Sequence, residues 1–542
     1  MTLAYVTEDF TPDERAVLAR HFTNLEGPVF ALVDLPEAVK GAMFARYSRT
    51  TKSLRRLFLD EFAGDIDEIA GAHAGASSTA GSERAARLYD SVFVEYGDDS
   101  VAQLGGVHLA CEQSSQLLAK ALEWGRLAAY LEQSTRYMRY DDQPGGVWRA
   151  TLPPELDGTP AGDRYAAFLD EAFTTYGRMY QPMEAWFLER FPKQEGDSDF
   201  VHRQTIMAKT CDTLRVLLPA GTRSNLGIYA TGQSFEQLLM RLTVHPLAEM
   251  REYGELMKAE LRKVIPEFLK RVDVEERGVA WARYWQANHS RVEELTARVL
   301  ADAGAKPEHR DEVTLVDFDP EGETKIAAAV LYSASAMPDD QLLALARSLP
   351  REQVAEILRA SVGERSNRRH KPGRSWERTS YRFDVLCDYG AFRDLQRHRL
   401  LTIEWQELTP DNGFEVPPEV EAAGALSDWT AVMEDSRALY QAMRREGLGP
   451  ASSYGVSMAY RIRFYMDMSA REAMHVLELR TTPQGHPVYR RVCQRMHRLI
   501  AEQAGHRAIA DAMRFVDHSR VELERLESER RSEARRLSSS SS

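Results

Sequence analysis

Apolar residues Leu117, Ala121, Trp124, Leu127 and Leu131 recur at spacings of 4, 3, 3 and 4, which predicts one face of a helix. Val385, Tyr389, Phe392 and Leu395 repeat that rhythm in the second half. The run RYAAFLDEAFTTYGRMYQPMEAWFLERF predicts a further helix from Arg164 to Phe191. Strand candidates are short: GPVFALVDL near the start and VTLVDFD from Val313. Helices therefore dominate over small sheets, an α+β pattern. No apolar run approaches the roughly 20 residues that cross a bilayer.

A chain of 542 residues is too long for one core and predicts at least two domains. The polar stretch ADAGAKPEHRDE, from Ala301 to Glu312, ends just before VTLVDFD and marks the main boundary. Ala63 to Ser82 is rich in Ala, Gly and Ser and reads as a mobile loop or linker. From Val521 the tail reads as a charged helix, followed by Leu and Ser residues with no core to join and disordered final serines. Landmarks recur in order in the two halves. Arg126 pairs with Arg399, Pro153-Pro154-Glu155 with Pro417-Pro418-Glu419, and Pro219-Ala220 with Pro450-Ala451. Arg241 with His245-Pro246 pairs with Arg480 and His486-Pro487. This order predicts a tandem duplication, residues 1–300 and 312–520, with a tail over 521–542.

The net charge of −13 argues against broad nucleic-acid binding, which needs a basic footprint. Within that acidic background, Arg365, Arg368, Arg369, His370, Lys371, Arg374 and Arg378 cluster. They read either as a solvated basic face or as a pocket for a small phosphorylated ligand. Cys111, Cys211, Cys387 and Cys493 are scattered, with no CxxC pair and no metal-ligand spacing, which fits a reducing cytoplasmic setting. The N-terminus, MTLAYVTEDFTPDER, has acidic residues and no apolar h-region, so it does not read as a signal peptide.

Two segments carry candidate chemistry. Arg397-His398-Arg399 lies in QRHRLLTIEWQELT, and Glu132-Gln133-Ser134-Thr135-Arg136-Tyr137 in WGRLAAYLEQSTRY. An Arg-His-Arg cluster can hold phosphates and stack on a planar ring. It also reads as the cationic C-terminal end of a surface helix. Asp394, at i−4 from His398, could orient that histidine or raise its pKa. Ser134 and Arg136 pair a hydroxyl donor with a guanidinium at i+2, a sound phosphate clamp at a helix end. Glu132 and Arg136 also read as an i,i+4 helix pair worth roughly 0.3–0.5 kcal/mol.

Together the two segments resemble one continuous pattern, RHR followed by seven residues and S-x-R-Y, the signature of the flavin-dependent thymidylate synthases. Each half keeps part of it. GRSWERTSYRFDVLCDYGAFRDLQRHR resembles the family's flavin-binding stretch, T-P-F-E-H before RHR. Trp376 and Glu377 match there, whereas Arg374, Ser375 and Arg378 replace Thr, Pro and His. FYMDMSAREAMHVLELR resembles the family's N-A-R helix, with Ser469-Ala470-Arg471 at N-A-R. In the first half Trp124-Gly125-Arg126 replaces RHR, Leu104 falls at the glutamate position beside Gln103, and Asp98 and Asp99 would repel a diphosphate. LPAGTRSNLGIYATGQSFEQLLMRLTVHPLAEMREYGELM resembles the family's C-terminal core, but Gly232 replaces the N-A-R arginine. In the second half Glu407 stands at the motif serine, with Thr409 and Pro410 at the arginine and tyrosine.

The resemblance implies two tandem thymidylate-synthase-complementing-type domains. It implies reductive methylation of dUMP to dTMP, with methylenetetrahydrofolate as carbon donor and FAD recharged by NADPH. No protein nucleophile and no metal are expected. Ser375, Glu377, Arg397, His398 and Arg399 would face the flavin. Glu132, Ser134, Arg136 and Arg471 would hold the nucleotide. Family members are homotetramers whose sites draw on several subunits, so this fused chain is expected to build a composite site between its halves and to form a homodimer. The losses in both halves leave alternatives: an inactive nucleotide- or flavin-binding paralogue, or a flavoenzyme for another pyrimidine nucleotide.

Overall fold

The computed structural model describes residues 8–47, 50, 52–64, 103–523 and 525–540. Asp98, Asp99 and most of the expected 63–82 linker lie outside them, as do the last two serines. Two compact units divide the chain. One comprises Met1–Glu112, Leu127–Glu132 and Asn225–Ala305, the other Gln113–Arg126, Gln133–Ser224 and Lys306–Ser542. The second unit thus draws on both halves of the sequence.

In the first unit, helices Pro12–His21, Glu37–Tyr47 and Leu54–Glu61 close over Leu18, Met43, Leu57 and Phe58. Thr11 and Glu14 form a reciprocal capping box on the first of these helices. GPVFALVDL is not a strand. Only Leu32 bridges, to Phe22, while Phe30 and Leu35 pack on the small helical core. Helix Ala280–Asp302 buries only Ala282.

Among the described residues seven strands form two antiparallel sheets. Strands β1 (Gly106–Ser115), β2 (Ala128–Glu132) and β3 (Arg223–Thr231) take the order β1-β3-β2. Strands β4 (Val313–Phe318), β5 (Ser380–Asp388), β6 (Thr402–Trp405) and β7 (Arg461–Ser469) take the order β4-β5-β7-β6. Each sheet repeats one plan: a strand runs into a helix, a short strand follows, and a nine-residue strand runs into a second helix. Helix α1 (Gln116–Leu122) follows β1, and α2 (Asp199–Leu214) comes later in that half. Helix α3 (Gly232–Thr243) follows β3, α4 (Tyr389–Gln396) follows β5, and α5 (Ala470–Arg480) follows β7. Helix α6 (Pro487–Glu502) comes next.

Strand-to-helix junctions account for the two misread periodicities. Ser115 accepts the Leu118 N–H at 3.0 Å and Asp388 accepts the Ala391 N–H at 2.9 Å, so each side chain caps a new helix where a strand ends. Val385 therefore belongs to β5 and Tyr389 to α4. The first helix stops at Leu122 and the chain re-enters a sheet at Ala128. Leu127 and Leu131 are 73% and 79% exposed. The predicted Val313 strand and the predicted Arg164–Phe191 helix are present as β4 and helix Pro160–Arg190. The tail helix runs from Leu526 to Ser540, farther than its composition suggests, and packs on α2. Arg530 pairs there with Asp197 at 2.6 Å.

Within the second unit, equivalent positions of the repeat meet each other. A shift of 273 residues places Gln116 on Tyr389, and the Tyr389 hydroxyl donates to the Gln116 carbonyl at 3.1 Å. Counting back from the capping hydroxyls Thr231 and Ser469 places Pro219 on Ser457, and these two residues bridge. Around that bridge Ala220 N–H donates to Val456 O at 2.8 Å and Met458 N–H to Leu218 O at 2.9 Å. Such reciprocal contacts are the mark of a local two-fold relation. The same count shows that Pro219 corresponds to Ser457 rather than to Pro450. Among the described residues no helix is long and apolar enough to cross a membrane.

Candidate functional site

The segment holding Ser134 and Arg136 is a turn after β2, not a helix, so the i,i+4 helix pair of Glu132 with Arg136 does not form. Glu132 is buried on β2, opposite Leu226. Ser134 is exposed. Thr135 turns inward and accepts a hydrogen bond from Arg215 Nη1 at 3.1 Å, which fixes the turn. Arg136 is thereby buried, at 8% exposure.

Arg136 sits in a knot of charges. Its Nε lies 3.1 Å from Asp212 Oδ1 on α2, and its Nη2 lies 3.4 Å from Asp394 Oδ2 on α4. Nη2 also donates to the Tyr489 hydroxyl at 3.3 Å. Arg215 Nε lies 2.8 Å from Asp212, Arg480 Nη1 lies 3.4 Å from Asp394, and Arg397 pairs with Asp394 as well. Four guanidiniums thus surround two carboxylates, leaving two positive charges in excess. Burial alone would raise the Asp394 pKa, but Arg397, Arg136, Arg480 and Arg215 hold it well below the ordinary range. Asp212 is lowered in the same way, against its burial, chiefly by Arg136. His486, 4.0 Å from Asp212, is pushed down to about 3 by burial and is neutral at pH 7.

The Arg-His-Arg triplet divides at the end of α4. Arg397 caps the helix and faces Asp394, His398 turns inward, and Arg399 is exposed. His398 Nε2 accepts the Nε–H of Arg480 at 2.8 Å, and its Nδ1 lies 3.7 Å from Glu472 Oε1. Burial, and then Arg480, push the His398 pKa well down; Asp394 pulls it up, as expected, but is outweighed. Asp394 spends its oxygens on arginines, not on the histidine, because His398 lies beyond the helix end.

Arg471, in the first turn of α5, donates from Nε to Pro372 O at 3.0 Å and lies 3.5 Å from Glu377 Oε1. Glu377 also meets Arg374 at 3.2 Å, while Ser375 is half-buried in the same short turn. Arg136, Arg397, His398, Glu377 and Arg471 therefore belong to one connected set, with Arg480 and Glu472 as links. Arg365 does not join it. It forms a bidentate buried pair with Glu478, both bonds at 2.6 Å, so part of the basic cluster is structural. Arg397, at 37% side-chain exposure, and exposed Arg399 present guanidinium forks beside a neutral imidazole. That donor set fits an anionic cofactor bearing a planar ring, such as a flavin nucleotide.

A cleft of about 750 Å³ opens on the Asp212 side and is also lined by Lys209, Asp388, His486, Arg490 and Arg491. Between Arg136 and Arg525 there is only about 10 Å³, room for no more than one water. Asp212, Arg215, Glu472 and Tyr489 were not singled out by sequence. Asp212 and Tyr489 lie in helical segments whose periodicity reports burial, not which charges meet.

The model of the thymidylate synthase complementing protein family matches residues 44–267 and 314–505. The chain belongs to this family. Two matches on one chain agree with the duplicated plan of the sheets. Relatives named UPF0159 protein occur in Chlamydia muridarum, 36% identical over 97% of this chain and 99% of theirs, and in Chlamydia pneumoniae, 35% identical over 97% and 98%. A UPF0159 protein of Thermoplasma acidophilum is 27% identical over 90% of this chain and 97% of its own. Among solved structures, a UMP/dUMP methylase PolB from Streptomyces cacaoi bound with 5-Br dUMP aligns at 19% identity and a TM-score of 0.31, over 37% of this chain and 94% of its own. Family membership supports a thymidylate-synthase-like enzyme of the methyltransferase type.

Proposed function

We propose that this chain is a flavin-dependent thymidylate synthase that methylates dUMP reductively at one composite site. The carrying observation is the charge knot, where Arg136 of the first repeat and Asp394, Arg397 and Arg480 of the second share one buried network with two positive charges in excess. A nucleotide monophosphate dianion matches that excess. Arg136, Ser134 and Arg471 would hold the nucleotide, with Glu132 beside it. Arg397, His398, Arg399, Glu377 and Ser375 would hold FAD, which supplies the hydride when bound. NADPH and methylenetetrahydrofolate would be co-substrates. The repeats would span residues 1–300 and 312–520, in a cytoplasmic homodimer that imitates the family tetramer; four buried free cysteines fit a reducing compartment.

The test is tritium release from 5-tritiated dUMP by FAD-loaded protein with NADPH and methylenetetrahydrofolate. Release that depends on all three supports the reading. A protein that stays colourless with added FAD defeats it. One observation favours the alternative of a non-catalytic nucleotide- or flavin-binding paralogue: Arg136 is already engaged by Asp212, Asp394 and Tyr489, so a phosphate must compete with two carboxylates. A yellow protein that binds dUMP without releasing tritium would select that paralogue or an enzyme for another pyrimidine nucleotide.

A further inference from the structure

His398, Glu472 and His475 bring three ligand-type atoms within 4.8 Å of one another, a spacing that invites a metal reading. The hydrogen bond from Arg480 rejects it. A guanidinium Nε–H only donates, so His398 Nε2 must be the acceptor. The neutral ring then carries its proton on Nδ1, on the side that faces Glu472. A metal there would need a doubly deprotonated imidazole. Lys371, Arg368, Arg471 and Arg480 also act on His475 as nearby positive charges, and they would repel a cation.

The same atoms suit another task. In the motif helix, Glu472 and His475 occupy positions that the N-A-R pattern leaves open. Glu472 is buried, at 5% exposure, and follows Arg471 directly. Its carboxylate is faced by His398 Nδ1 from the end of α4, by His475 from its own helix, and by Lys371, Glu377 and Arg471. Burial raises its pKa to about 7, against Lys371 and Arg471, which lower it. His475 is pushed down to about 4, first by burial and then by the surrounding cations, so it stays neutral.

We propose that Arg480 fixes His398 as the neutral Nδ1–H tautomer, that this positioning residue points its N–H toward Glu472 from 3.7 Å without hydrogen-bonding to it, and that Glu472 takes up a proton when a phosphate-bearing ligand draws Arg471 and Lys371 to itself. Once Glu472 is protonated its charge no longer attracts the His398 N–H, which turns to the incoming anion. The ligand clause rests on the proposed nucleotide site; the tautomer clause does not.

Two measurements on the intact chain test this. The first is nitrogen NMR of 15N-labelled histidine rings, with His398 identified through H398Q. Expected are a protonated Nδ1, an acceptor Nε2, and a ring-shift inflection near pH 7 that is lost in Glu472→Gln. In Arg480→Lys, which keeps the charge but not the fixed N–H, the tautomer should become mixed. A proton on Nε2 in the unaltered chain, or an inflection that survives Glu472→Gln, overturns the proposal. The second is calorimetry of inorganic pyrophosphate binding near neutral pH in two buffers of different ionisation enthalpy. Proton uptake is expected, and its loss in Glu472→Gln. Binding without uptake, or no binding, overturns the ligand clause. Neither measurement uses flavin or dUMP, so failed tritium release would refute the enzymatic reading alone.

Discussion

Asp394→Asn isolates the energetics of the charge knot. Asparagine keeps the shape and removes one of two negative charges among four guanidiniums. At an effective dielectric of about 20, a unit pair at 3.4 Å attracts by roughly 5 kcal/mol, and Asp394 has two such contacts besides Arg397. Desolvation and repulsion among the arginines offset much of this. Breaking a buried pair by removing one partner typically costs about 3–5 kcal/mol, and that is the expected loss in urea unfolding at neutral pH. A cycle with Arg136→Met should give a coupling of about 0.5–3 kcal/mol, because the methionine variant has already lost one of the contacts. Inorganic phosphate should stabilise Asp394→Asn more than the unaltered chain, since it can replace the missing anion. A variant within about 0.5 kcal/mol of the original, indifferent to phosphate, would show that these charges do not act as a unit.

Three further outcomes follow from other contacts. Arg365→Met should cost about 3–5 kcal/mol by stranding Glu478 in the core, and adding Glu478→Leu should recover most of it in the same unfolding assay; phosphate affinity should not change. Arg397→Ala should abolish flavin retention on gel filtration, whereas Arg136→Ala should weaken dUMP binding and leave the flavin, so an unchanged dUMP affinity in Arg136→Ala defeats the composite site. Glu472 has a folded pKa raised from 4.5 to about 7, so the folded chain holds the extra proton and this stabilisation is lost as pH rises through 7. Glu472→Gln should therefore gain stability over the parent by up to about 3 kcal/mol between about pH 5 and about pH 8, and a pH-independent difference would contradict the assignment.

The sequence made the repeat legible because sheet registers preserve spacing: Arg126 and Arg399 remain equivalent through β2 and β6. It misplaced Pro219 against Pro450, since identical residue types outside regular elements carry no register. Leu127 and Leu131 misled because a helix ending in a short strand can imitate continuous periodicity, and only pairing with β3 separates the two. The motif residues were found by type, yet their partners were not. Arg136 reaches Asp394 across 258 positions, and no local pattern encodes that contact. Arg471 was expected to hold the nucleotide; in the structure it donates to Pro372 O and lies 3.5 Å from Glu377, which belongs to the stretch the resemblance gives to the flavin.

The duplication also limits how many such knots one chain can make. The shift of 273 residues that relates α1 to α4 puts Ala121 at Asp394, Trp124 at Arg397 and Gly125 at His398, and it puts Glu407 at Ser134 and Thr409 at Arg136. The sister position thus lacks the carboxylate that gathers the arginines and the arginine that bridges the repeats. It has gained Glu407, held 3.5 Å from Arg444 and 3.4 Å from the Ser453 hydroxyl, which repels a phosphate. In a symmetric assembly of identical subunits a residue lost from one site is lost from all. Fusion removes that constraint, so each repeat can keep only what a single shared site needs. One dUMP per chain is therefore expected by titration calorimetry, with the affinity of that one site weakened by Arg136→Ala. Two equivalent dUMP sites per chain would mean that the sister position binds despite Glu407, and the asymmetric reading of the repeats would fall.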